Sequence, residues 1–230
     1  MPNIDSVSFD LSDCELIEHS DMHRMWVNKA GIYQNLRVSQ QPPAWPFDLR
    51  DYSAASDYYF RQCAENKGVM LEMEVIQIGE LEALRGLFKY RSPVQKSLAM
   101  MFVHIIWIPF KNWTIQINIE ALERGTTGMR EAAVMMIEGD KWPKPSLEDP
   151  PIEINGTEEM FEKMRSHPLR VLPSDDAKYD KTFVNHPLSM VRNRMTQILS
   201  SLTVFADTSD LSPFIKNNRS EVLCVEKYVA

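Results

Sequence analysis

The sequence predicts an α+β fold: a twisted antiparallel sheet of six or more strands, helices packed against it, and a long wrapping C-terminal extension. Three observations carry that expectation. Residues 113 to 120 alternate strictly, with Trp113, Ile115, Ile117 and Ile119 set against Thr114, Gln116, Asn118 and Glu120, which is the period of a strand with one packed face. The apolar runs around it are joined by links too short for the crossover that parallel strands need. A late stripe, Leu188, Val191, Met195, Ile198, Leu202 and Phe205, repeats at helical spacing and needs an apolar surface to cover it.

Taken in order, the first fifty residues read as short strands at 6–9, 14–19, 25–29 and 32–39, with Ala30-Gly31 as the tight turn between the last two. Prolines 42, 43 and 46 then stop regular pairing, because proline lacks the donor a ladder needs. Ala55, Tyr59 and Cys63 recur every four residues, so a helix is expected from an N-cap at Ser53 to Lys67, with Gly68 in the left-handed cap. Strands follow at 70–78, 82–90, 98–108 and 113–121. The third of these is apolar on both alternating sets and reads as a central strand covered on both sides.

A second helix is expected from Thr126-Thr127 to Glu138, with Met129, Ala133, Met136 and Ile137 inward and Gly139 as its stop. Six of the fourteen prolines fall between Trp142 and His186, so that stretch wraps the sheet as irregular chain, with a short helix at 157–165 capped by Thr157. Pro187 suits the first position of the last helix, with Arg192, Arg194, Gln197 and Ser201 opposite its apolar stripe. Residues 1–140 are read as the sheet core with two helices, and 141–230 as a proline-rich wrapping segment and final helix on the same core.

A formal net charge of -7 speaks against affinity built on phosphate neutralisation, so nucleic acid is not expected as a partner. The longest apolar stretch, 98–110, is too short to span a bilayer and no secretion signal is read at the start, so no membrane insertion and a cytoplasmic location are expected. Cys14, Cys63 and Cys224 have no paired spacing and read as reduced thiols.

The order of short strands, one helix, a meander of longer strands and a helix resembles the PsbP-like fold over residues 1 to 140. That fold is shared by an extrinsic subunit of photosystem II, a Ran-binding nuclear import factor and several bacterial proteins. Two words, Glu123-Arg124-Gly125-Thr126-Thr127-Gly128-Met129-Arg130-Glu131-Ala132 and His186-Pro187-Leu188-Ser189-Met190-Val191-Arg192, look like those of an uncharacterised bacterial protein group. The resemblance implies a binding or assembly protein without catalysis, and no residue roles.

Candidate site residues are few. Arg85, Lys89, Gln116 and Glu120 would form a polar patch if they shared one sheet face. Arg124, Thr126, Thr127 and Arg130 flank a glycine turn that could present donors to an anion, although no P-loop lysine follows. His104 stands alone on an apolar strand face, and reads first as a core histidine and second as a base. His19 and His23 lie four apart, but in a strand and loop rather than on a helix, and no metal is expected. No Gly-x-Ser-x-Gly elbow is present, and no catalytic residue or cofactor is assigned. The expected function is a non-enzymatic intracellular binding or accessory protein that acts through a sheet face or the groove between sheet and helices and whose partner is protein. The alternatives are a small-molecule or metal-dependent enzyme using His104 and the 125–130 turn, and a structural homo-oligomer.

Overall fold

The computed structural model describes residues 3–144, 156–205 and 211–216. Among the described residues nine strands form: β1 (Val7–Ser8), β2 (Cys14–His19), β3 (His23–Asn28), β4 (Tyr33–Ser39), β5 (Val69–Ile78), β6 (Leu81–Arg91), β7 (Met100–Pro109), β8 (Thr114–Leu122) and β9 (Thr203–Val204). Four α-helices accompany them: α1 (Tyr52–Glu65), α2 (Met129–Glu138), α3 (Thr157–Ser166) and α4 (Pro187–Ser201). β2 to β8 make one sheet in the order β2-β3-β4-β8-β7-β6-β5, and every neighbouring pair is antiparallel. β1 and β9 pair separately as a short ribbon.

α1 carries the chain from β4 to the far edge, and the meander β5 to β8 brings it back to pair with β4. Register then sorts the side chains. Arg85 lies opposite Ile106 and Ile106 opposite Ile117, while Leu84 lies opposite Trp107 and Trp107 opposite Gln116. The first row faces α4, where Leu188, Val191, Met195 and Ile198 bury against Leu36, Phe102, Ile106, Ile117 and Ile119. The second faces α1, where Ala55, Tyr59 and Cys63 cover Leu84, Phe88 and Trp107. Trp45 and Phe47 of the proline loop join that side, with Trp45 Nε1 donating to the Tyr59 hydroxyl at 2.8 Å. β7 is buried on both faces, as its doubly apolar sequence predicts. α1 stops short of β4 and β8 on its side, so Gln116, Asn118 and Glu120 stay half-buried, with Gln116 donating to Asn118 at 2.8 Å.

Several local expectations are corrected. α1 is capped by Asp51, whose side chain accepts the Ala54 N–H, and not by Ser53. At its other end Lys67, with φ 57, takes the left-handed position. Gly68 instead donates back to Cys63 O and Lys67 to Ala64 O, the paired bonds of a Schellman ending. Gly68 is required there for space, because a Cβ would land on the Tyr90 ring. Gly68→Ala is therefore expected to cost about 1–3 kcal/mol by overpacking, read in chemical denaturation.

The short helix of the wrapping segment is capped by Gly156 rather than Thr157, whose side chain lies outside the described residues, as do prolines 145, 150 and 151, Ile152, Ile154 and Cys224. The wrapping itself is visible at Arg165, which donates to the Ser92, Val94 and Ser97 carbonyls of the β6–β7 turn. α4 ends at Ser201, and of the stripe residues beyond Ile198 the C-cap Leu202 still packs on the core, partly buried, while Phe205 is exposed. Arg192 and Arg194, expected opposite the stripe, reach polar partners on the sheet side.

Candidate functional site

β8 runs out at Leu122 into the loop that the first sequence word occupies. Glu123, buried, accepts the Met100 N–H at 2.7 Å on one carboxylate oxygen and the Gly128 N–H at 3.3 Å on the other. Gly125 and Gly128 both take positive φ, 70 and 73, so the loop turns back sharply enough for Gly128 to start α2. The exposed Arg124 guanidinium lies against Gly31 of the β3–β4 turn.

α2 then does the reverse of what its sequence predicts. Arg130 and Val134 are its buried residues, while Met129 is 61% exposed, Met136 90% and Ile137 72%. The residues expected inward share a face, but it is the outer one. The reason is the chemistry beneath the helix. Two short 3-10 helices, Pro173–Asp175 and Ala177–Tyr179, turn the Ser174 and Asp176 carbonyls toward α2, and these need donors. Arg130 supplies them: Nε donates to Ser174 O at 2.6 Å, Nη2 to Asp176 O at 2.9 Å, and Nη1 to Ser189 Oγ at 2.6 Å and Asp180 Oδ1 at 2.9 Å. A planar five-donor fork suits that task as no ammonium does.

The second sequence word meets the first here. Ser189 Oγ donates a hydrogen bond to Asp180 Oδ1 at 3.0 Å, and Arg192 reaches Asp180, the Asp175 carbonyl and Glu72. His186 is the N-cap of α4: its Nδ1 accepts the Leu188 N–H at 3.2 Å, and its Nε2 stands 3.4 Å from Glu123 Oε1. Glu123, Glu131 and His186 bring one donor atom each within 4.8 Å of one another, the one such trio among the described residues. A cation is nevertheless a poor fit. With Nδ1 already accepting a hydrogen bond, the neutral ring carries its proton on Nε2, the atom that would have to ligate.

Burial raises the proton affinity of Glu123, but the adjacent His186 imidazole and the hydrogen bonds from the Met100 and Gly128 N–H groups outweigh it and hold the carboxyl below its ordinary range. Glu131 goes the other way, raised by burial and further by the Glu123 charge.

An open cleft of about 590 Å³ lies above these groups. Ala30 and Gly31 form one wall, the loop from Leu122 to Met129 another, and Thr182 to Met190 the third. Its apolar lining includes Phe183, Val184 and Met190, and Met129 belongs both to the cleft and to the exposed stripe of α2. Of the candidate residues, Arg124, Thr126 and Arg130 line it, but Arg130 is fully buried and spends four of its five donors on the chain around it, so it holds the floor.

The remaining candidates are elsewhere. Arg85 and Lys89 face α4 while Gln116 and Glu120 face the α1 side, so the shared patch does not exist; parity along each strand was legible, but the register between β6 and β8 was not. Arg85 pairs with Glu74, and Lys89 makes a buried pair with Asp175. His104 is 2% exposed on the α4 side. Burial, with the Arg85 and Arg192 charges, pushes its pKa down to about 3; the Val191 backbone acts on it weakly, and neither ring nitrogen has a well-aligned partner. A neutral, sealed imidazole is no catalytic base at this cleft. His23 pairs with Glu18 and joins no metal-ligating trio.

The sequence matches no protein-family model and no curated protein. Solved structures similar in shape include the following three. The Ran-binding protein Mog1p of Saccharomyces cerevisiae shares 11% identity, with 87% of this chain and 90% of that one covered at a TM-score of 0.43. A variant of the protein Mog1 gives 10% identity, coverages of 91% and 98%, and a TM-score of 0.45. A crystal structure from Bacteroides thetaiotaomicron gives 12% identity and a TM-score of 0.34, with 60% of this chain covered; the chain spans about half, 47%, of that one. At these TM-scores the likenesses carry nothing about function, and they do not identify a bacterial group. The α+β class rests on the strands and helices themselves. No helix among the described residues is long and apolar enough to cross a membrane.

Proposed function

We propose that this chain is a non-catalytic, intracellular binding protein that takes a protein partner on the exposed stripe of α2 and in the cleft that the stripe borders. The observation behind it is the inverted helix. Met129, Met135, Met136 and Ile137 form an apolar surface on α2 while the same helix buries an arginine. Methionine side chains are flexible and polarisable, which suits a surface that must fit an incoming chain, and adjoining exposed apolar residues of this size mark interaction sites in soluble proteins. The cleft adds depth beside the stripe, with Arg124 on its rim. The enzyme reading loses its base, since His104 is sealed and neutral. A reduced cell interior suits the free thiols of Cys14 and Cys63.

A photo-crosslinking residue placed at Met136 tests this in the native cell. A discrete adduct is expected there and not from the same residue at exposed Leu16 on the edge strand β2. Adding Glu at Ile137 beside the probe is expected to lower the adduct yield at least about tenfold and to change stability by less than about 0.5 kcal/mol. Equal labelling from both positions removes the proposal. An adduct of twice the chain's mass, with a dimer in light scattering, assigns the surface to a second copy instead.

A further inference from the structure

We propose that Glu123, Glu131 and His186 form a proton-sharing latch between β8, α2 and α4, in which one proton lies between the two carboxyls and its release frees the docking helix. The docking consequence rests on the function proposed above; the latch itself does not.

His186 Nδ1 accepts the Leu188 N–H, so Nε2 bears the proton; it stands 3.4 Å from Glu123 Oε1 without a well-aligned hydrogen bond. Glu123 receives two backbone N–H groups, which favour its ionised form. Glu131 Oε2 is buried and has no hydrogen-bond partner. An ionised Glu131 would put a second negative charge within 4.8 Å of Glu123, which Lys89 and His186 answer only in part. The charged groups on the neighbouring elements are already engaged: Lys89 of β6 by Asp175, and Arg130 of α2 and Arg192 of α4 by Asp180. A protonated Glu131 becomes a donor that Glu123, with spare acceptor sites, can take. That single proton satisfies the orphaned oxygen and removes the repulsion.

The sign follows. Glu131 binds its proton more tightly with α2 docked than with α2 free, so protons favour the docked state. Protection of α2 is fully present below the ordinary glutamate range, falls as pH rises from there to the raised value, and then levels. Glu123 acts oppositely and only below its ordinary range, so the two effects do not overlap.

Hydrogen exchange of the α2 amides, corrected for intrinsic rates and followed from pH 4.5 to 8.5 on the full chain, reads this directly. In the wild type, protection over residues 132 to 138 is expected to fall by roughly tenfold relative to α1, and in Glu131→Gln to stay flat. Infrared spectra of the unaltered protein supply a readout independent of any variant: a buried carboxylic-acid band that persists above the ordinary glutamate range and disappears over the same pH interval. Equal pH dependence in wild type and Glu131→Gln, or no such band, overturns the latch. So does protection that rises with added Zn²⁺ in the wild type and not in Glu131→Gln, which would make the trio a cation site. Loss of the latch leaves the crosslinking result at Met136 untouched, and the converse also holds.

Discussion

Replacing Arg130 with alanine is expected to destabilise the protein by about 3–5 kcal/mol, the scale for removing one partner of a buried ionic cluster. The side chain is fully buried, and four groups on the wrapping segment and α4 depend on its guanidinium. Without it, the Ser174 and Asp176 carbonyls lose their donor and the Asp180 carboxylate loses a buried cation. Arg130→Lys keeps the charge but not the fork, so it is expected to recover less than half of the loss. Urea denaturation of the three proteins decides the matter. A change under about 1 kcal/mol in Arg130→Ala would mean that the 173–180 chain finds other donors and that α2 is held by something else.

Lys89→Met is expected to rank beside it. Lys89 and Asp175 are each only a few per cent exposed, and they face one another across β6 and the turn after 172. Removing the ammonium leaves Asp175 buried without a cation, again at about 3–5 kcal/mol. A second change, Asp175→Asn in the Lys89→Met background, removes the orphaned charge while Asn can still accept the Leu172 N–H, and is expected to return most of the loss.

The sheet was legible because its signals are local. Alternation at 113–120, the turn residues between strands and the proline block each act within a few positions, and the strands form within about two residues of the expected bounds. α4 was legible for the same reason, down to the proline at its first turn. What sequence could not give was direction. Helical spacing tells which residues of α2 share a face, but it does not tell which face turns inward. The usual rule sends methionine in and arginine out. Here the carbonyls of a segment some forty residues downstream decide otherwise, and no window around α2 contains them. The site was hidden in the same way. Glu123, Arg130 and Glu131 stand in one conspicuous word, and His186, Ser189 and Arg192 in another, yet their meeting depends on the path of the chain between them. The parity of Arg85 and Gln116 failed for want of the register between strands that are two apart in the sheet.

The β1–β9 ribbon ties Val7 to Val204, and Asp10 reaches Ser201 close by, 191 positions along the chain. A chain leaving the ribosome has made its opening residues long before their mates exist. Val7 and Ser8 must therefore wait without their strand partners until synthesis has passed α4. Cotranslational folding of this molecule should consequently close in one late step, and a stalled transcript lacking the last helix would yield an open, protease-sensitive sheet.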